Sequence, residues 1–335
     1  MTDATLAPDR VAGRSPDGAG RPRRWRAGRG EVPMVPEMAP TSYYGRSVLK
    51  APVWKGEVAI YLYTGGLAGG SAMLAATARA QGNDVLARRA LYSALAGAAV
   101  SPALLIKDLG VPRRFSNMLR VLKVTSPMNV GTWILSGTGT ALGVAVACET
   151  LGILPGVRRL AETSAALLGP ALSTYTAVLL SDTAVPAWHE AHLEMPFLFA
   201  GSAAATAGAA ATLLTPPEHA GLARSLATGG VLAELAAAEV MERRLGELAE
   251  PYRTGEPGRL SRAATALGLA GAAALALGGR RRRTLAAVGA AAVLAASLCE
   301  RWAILKAGTL SANDPSHTVG PQRRRLSTPP ASAAR

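Results

Sequence analysis

Runs of about 20 residues without a Lys or Arg recur along this chain, and that spacing limits its fold more than any other feature. Soluble core helices rarely sustain such lengths repeatedly, whereas a helix crossing a hydrocarbon layer requires them. Eight predominantly apolar spans can be drawn, at about 56–78, 88–107, 128–150, 163–182, 194–215, 221–241, 261–279 and 284–305. The expected fold class is therefore all-α, a polytopic membrane bundle of about eight transmembrane helices. The sixth span is the least typical, because Glu234 and Glu239 interrupt it and an amphipathic soluble helix has the same pattern.

Charge supports the same reading. The net charge of +14 over 335 residues would suit a nucleic-acid binder if the arginines shared one surface. They sit instead in the tails and between the apolar spans, where basic residues set topology and attract anionic headgroups. Nucleic acid is thereby set aside as a partner. Cys148 and Cys299 lie far apart inside apolar spans with no CxxC or Cys/His cluster, so they supply neither a disulfide framework nor an iron–sulfur site.

Three regions follow. Residues 1–42 are rich in Pro, Gly and Arg with no apolar run, and are expected to be a disordered basic tail. Residues 43–308 form the membrane domain, and 309–335, with Arg323 to Arg325, form a second disordered tail. Arg23-Arg24 has no apolar stretch close behind it, so a twin-arginine export signal is not expected. An even number of spans places both termini on one side. The distribution of Lys and Arg makes that side cytoplasmic, although Arg280 to Arg283 in the last hairpin oppose the assignment.

On this topology the polar residues outside the tails gather at one membrane face. Glu57 and Tyr61 open the first span, four residues apart and on one helical face that continues through Gly65 and Gly69. Tyr63 points the other way. Asp108 ends the second span and leads into a loop with Arg113, Arg114, Asn117 and Arg120, while Tyr175, Asp182 and His189 belong to the fourth span and the loop after it. Two readings of the Glu57/Tyr61 pair stand side by side: interfacial anchoring, or hydrogen bonding to a quinone headgroup, whose carbonyl needs a donor and whose ring needs an apolar slot. His189, His192 and Glu190 lack the HExxH pattern, and their expected role is proton exchange or an interfacial hydrogen bond, so no metal site is assigned. No span carries an inward histidine pair, so haem is not expected either. For the sixth span, Glu239 is expected to pair with Arg243 at a spacing of four, and Glu234 is left open.

Three blocks carry a family resemblance: WKGEVAIYLYTGGLAGGSAM, SPALLIKDLGVPRRFSNMLRVLKVTSPMNVGTWIL and LLGPALSTYTAVLLSDTAVPAWHEAHLEMPFLFAGSAAA. Together they resemble the NrfD/polysulfide reductase membrane-subunit family, and more narrowly its actinobacterial members. The likeness covers roughly residues 40–215 and rests most on the DLG-x-P-x-RF-x-NML block. It implies an integral quinone-interacting anchor without haem or an iron–sulfur cluster of its own. Such a subunit exchanges electrons between the quinone pool, with menaquinone as the expected quinone, and an iron–sulfur (ferredoxin-like) subunit that serves a molybdopterin oxidoreductase. Carried onto this sequence, the quinone-site end of the first helix corresponds to Glu57 and Tyr61, and the loop motif to Asp108, Gly110, Pro112, Arg114, Phe115, Asn117 and Arg120. Lys107 stands where relatives often carry histidine. The expected quinone-binding set is thus Glu57, Tyr61, Asp108, Tyr175, Asp182 and His189, and the expected partner-docking set is Arg113, Arg114, Asn117 and Arg120. The alternatives are an ion-coupled secondary transporter, favoured by acids and glycines inside helices, and a purely structural anchor.

Overall fold

The computed structural model describes residues 48–50, 52, 54, 56–109, 111–278, 282–319 and 321. The expectations for residues 1–42, for Gly110 and for residues 322–335 lie outside the described residues. Eleven α-helices are described: α1 (Gly56–Ala80), α2 (Asp84–Leu109), α3 (Pro112–Met118), α4 (Pro127–Leu151), α5 (Pro155–Ser181), α6 (Pro186–His189), α7 (Met195–Leu214), α8 (Gly221–Leu245), α9 (Glu250–Arg253), α10 (Gly255–Gly278) and α11 (Arg283–Asn313). A 3₁₀ turn, Gly246–Ala249, precedes α9. Eight of these helices are long, and they fall on the eight expected spans. Seven are long and apolar enough to cross a membrane; α8, which carries Arg224, Glu234 and Glu239, is not among them. The chain is a multi-pass helical membrane protein.

The connections alternate in character. Connections of at most six residues join α1 to α2, α4 to α5, α7 to α8 and α10 to α11, and this end of the bundle is the turn end. At the opposite end the connections are longer and carry α3, α6 and α9, which makes it the end with room for a site. Local chemistry fixes the boundaries. Ser126 caps α4 by accepting the Asn129 N–H, Pro127 follows as the first helical residue, and Gly152 ends the helix at a φ of 67°, where a side chain would be strained.

Helix α1 is the hub, packed against α2, α5, α7 and α11. Small residues make this possible. A Cβ at Gly169 of α5 would stand 2.7 Å from the Gly69 carbonyl oxygen of α1, so the two backbones meet only because both positions are glycine. The outer helices show the reverse pattern, with Trp133 on α4, Leu160 and Leu167 on α5 and Leu277 on α10 turned outward and exposed, as contact with lipid requires. At the turn end, Arg79, Arg88 and Arg158 surround the buried carboxylates of Glu149 and Glu162, tying α1, α2, α4 and α5 together at 3.0–3.3 Å.

The C-terminal boundary differs from expectation. Helix α11 does not end near residue 308 but continues to Asn313, and residues 315–319 form another helical turn. The physical reason is packing: Ser311 is fully buried and its Oγ accepts the Ala187 N–H of α6 at 3.2 Å. Beyond it, buried His317 places Nε2 3.2 Å from Glu250 Oε2 on α9.

Candidate functional site

At the site end the first turns of α1 meet the last turns of α2. Glu57, intermediate in exposure, accepts an ion pair from Lys107 at 2.9 Å. Lys107 is largely exposed, so the pair adds little stability, but it sets a positive charge beside the carboxylate. One turn deeper, Tyr61 is 4 % exposed and meets the Tyr175 ring of α5 edge to face, with centroids 6.5 Å apart. Tyr175 reaches this position because residue 131 is glycine. A Cβ there would collide with the Tyr175 ring, whose buried hydroxyl makes no hydrogen bond.

Glu57, Tyr61 and Asp108 line one small cavity of about 20 Å³, together with Trp54, Met128 and Leu179. That volume holds one water or one carbonyl oxygen. Trp54 also borders an apolar groove of about 430 Å³ lined by Leu49, Pro52, Ala184, Val185 and Trp188. Trp54 and Trp188 stack with centroids 5.4 Å apart. Trp188 is itself fixed, since its Nε1–H donates to the Ile304 carbonyl of α11 at 2.8 Å and its ring is wholly buried. The neighbouring Ala187 carbonyl accepts the Tyr252 hydroxyl at 3.1 Å. Burial, aided by the charges of Glu300 and Glu242, pushes the Tyr252 phenol far up, so it remains a neutral donor.

The other expected residues lie around this core. Asp182 follows the last turn of α5 and is exposed. His189 has Nδ1 3.0 Å from the Ser181 carbonyl, which can only accept and so fixes the proton on Nδ1. It lines a second groove, of about 340 Å³, with Glu190 and His317 rather than the Tyr61 cavity. Arg113, Arg114 and Asn117 stand exposed on α3, with Arg120 exposed just beyond. Arg114 donates to the Leu109 carbonyl at 3.1 Å, and Asn129 clamps the loop by donating to the Met118 carbonyl and accepting the Lys123 N–H, both at 2.7 Å. The arginine-bearing segment is therefore an ordered surface, not a loose loop.

Two polar groupings escape the sequence reading. Glu194, buried at the start of α7, is bound by Arg244 of α8, which also donates to the Glu190 carbonyl. Deeper in the bundle, Glu234, Glu300 and Arg301 are buried within helices. Glu239 pairs with Arg243 at 2.6 Å, as its spacing suggests. Among the described residues no three His, Cys, Asp or Glu side chains converge as a metal-binding set.

Comparison with known proteins adds one finding. A family model described as "Polysulphide reductase, NrfD" matches residues 47–249, more than half of the chain, from the segment before α1 to the 3₁₀ turn after α8. No match is found among curated proteins.

Proposed function

The chain belongs to the NrfD family of membrane subunits of polysulphide reductase-type oxidoreductase complexes, and from that premise we propose that it is the quinone-reactive anchor of such a complex. The observation that carries the reading is the convergence of Glu57, Tyr61 and Asp108 on one cavity beside an apolar groove. The small cavity has the size of a quinone carbonyl oxygen, not of a ring, so the ring lies in the groove against Trp54 and its polar end reaches toward Tyr61. Tyr175 backs Tyr61, while His189 lies in the second groove and Asp182 on the surface after α5, as more distant polar groups.

Quinone and quinol interconvert by two electrons and two protons. The electrons pass between the ring and an iron–sulfur partner, since two cysteines far apart in sequence, Cys148 and Cys299, do not make a cluster-ligand set, and menaquinone is the proposed substrate. The protons pass through Asp108 and Glu57, which stand at the mouth of the cavity where water reaches them, Glu57 beside the Lys107 ammonium. Family members work with iron–sulfur and molybdopterin subunits, and the exposed Arg113, Arg114, Asn117 and Arg120 are the proposed docking surface for the first of these. The termini and this surface are proposed to lie on one side, the cytoplasmic one by the Lys/Arg distribution.

Quenching of tryptophan fluorescence by a menaquinone analogue tests the site, because Trp54 and Trp188 line the groove. Saturable quenching is expected in the wild type. Loss of one hydrogen bond of about 1 kcal/mol in Tyr61→Phe or Glu57→Gln weakens it roughly five- to tenfold. Quenching that is unsaturable, or unchanged in both variants, refutes the proposal.

A further inference from the structure

We propose that Glu234 and Glu300 form a proton-exchange site inside the bundle, holding one proton between them, with Arg301 as the fixed counter-charge and a cavity leading out between α8, α10 and α11. Glu234 sits midway along α8, and Glu300 and Arg301 lie near the middle of α11. All three are more than nine-tenths buried. The assignment does not depend on the quinone pocket, and Glu300 and Arg301 lie beyond the stretch matched by the family model.

Charge balance is the first argument. Two carboxyls face one guanidinium, so one carboxylate is compensated and a second would be a bare buried charge, which a protein interior avoids by keeping the group protonated. Arg301 itself is fixed by groups other than the two acids. Its guanidinium lies 3.6 Å above the Phe199 ring, and Nη2 donates to the Phe199 carbonyl at 3.2 Å. Its Nε and Nη1 make no hydrogen bond to protein, and neither does Glu234 Oε1. Unsatisfied buried groups of this kind call for water.

The space for water is present. A cavity of about 180 Å³, room for several molecules, is lined by Glu234, Glu300, Glu239, Glu242, Ser261 and Thr265. Glu234 and Glu242 share one face of α8, two helical turns apart. Glu242 lies toward the site end of the bundle, where it binds Arg253 of α9 at 2.7 Å. The groups facing the acid pair can be named element by element. Helix α7 presents Ser202 and the Phe199 carbonyl, α8 presents Glu239 and Glu242, α9 presents Tyr252 and Arg253, α10 presents Ser261 and Thr265, and α11 presents Cys299 and Arg301. Apart from Arg301 the only cation in this set is Arg253, and it is engaged by Glu242 at the rim. In the exchange one carboxylic acid releases its proton to cavity water, Glu242 relays it outward, and the carboxylate left behind is reprotonated by the reverse path. No electrons move.

Infrared spectra of the full-length protein in lipid nanodiscs test this directly, since a protonated carboxyl has its own C=O stretch, which shifts in D₂O only where water reaches it. The wild type is expected to show such a band at neutral pH, with rapid exchange in D₂O. Both Glu234→Gln and Glu300→Gln are expected to remove it, because the remaining acid then pairs with Arg301 and ionises, whereas Glu239→Gln keeps it. The wild-type spectrum decides even if a variant fails to fold: absence of the band at neutral pH, or a band that never exchanges, overturns the proposal. A band that survives both substitutions, or that Na⁺ abolishes at fixed pH, overturns it as well.

Discussion

Gly308 offers a sharp test of how the site end is held. A Cβ at this position of α11 would fall on the Trp188 indole, with Cε2, Cζ2 and Nε1 as the nearest atoms. Because Trp188 is fully buried, stacked on Trp54 and bonded to the Ile304 carbonyl, the ring can yield only by giving up these contacts. For Gly308→Ala, overpacking costs about 1–3 kcal/mol and breaking the indole N–H bond inside the protein about 1–3 more, while alanine returns about 1 kcal/mol of helix propensity. The expected net loss is about 3 kcal/mol. The control is the same substitution at Gly65 of α1, where a Cβ would meet nothing within 4 Å and alanine should be neutral or favourable by up to ~1 kcal/mol. Unfolding in mixed micelles by added SDS, followed by helical ellipticity, measures both. If Gly308→Ala unfolds within about 0.5 kcal/mol of wild type, or the two variants shift alike, the proposed Trp188 seat is wrong.

Other outcomes follow from single features. Arg79→Ala leaves Glu149 and Glu162 buried with fewer cations, and the same SDS titration should show a loss of about 2–3 kcal/mol, less than for a fully isolated pair because Arg88 and Arg158 remain. Gly131→Ala drives the Tyr175 ring off Tyr61 and should weaken menaquinone-analogue quenching at least as much as Tyr61→Phe. Reversing Arg113, Arg114 and Arg120 to Glu should abolish co-purification with an iron–sulfur partner while leaving quenching unchanged. Asp314 is held below the ordinary aspartate range by hydrogen bonds from the side chain and backbone of Ser316. A depressed carboxyl stabilises above its unfolded value and loses that contribution as pH falls through its folded one, so amide exchange in residues 315–319 should rise only in that acid window. Asp314→Asn should show the raised exchange at neutral pH.

Much of this architecture is legible in the chain, for a physical reason. A lipid-crossing helix must be both long and mostly free of charge, and few other structures impose both demands, so the spans stand out. Their ends are less visible: α2 begins at Asp84, before Arg88 and Arg89, because Asn83 Oδ1 accepts the Leu86 N–H and the arginines sit on an already formed helix. The Glu57 and Tyr61 pair is readable from helical spacing alone, and alternation of direction carries Asp108 and Tyr175 to the same end. Glu300 and Arg301 were hidden. An acid and a base side by side barely alter the character of a long apolar run, and their partner Glu234 lies on another helix, so only packing reveals that three charges share one interior. The seat of Tyr175 was hidden for a related reason, since nothing in the sequence singles out Gly131 among so many glycines.

Helix α11 has 31 residues, about 46 Å at 1.5 Å each, while the hydrocarbon layer is roughly 30 Å thick. It is thus a rod longer than the bilayer, running unbroken from the level of Glu300 to the outer turns where Gly308 seats Trp188 and Ser311 holds α6. A stiff rod cannot be displaced at one height alone. Any axial shift of α11 that follows from a change of charge at Glu300 is delivered at equal amplitude to the floor of the tryptophan groove, so lipid-buried chemistry and the water-facing end share one moving part.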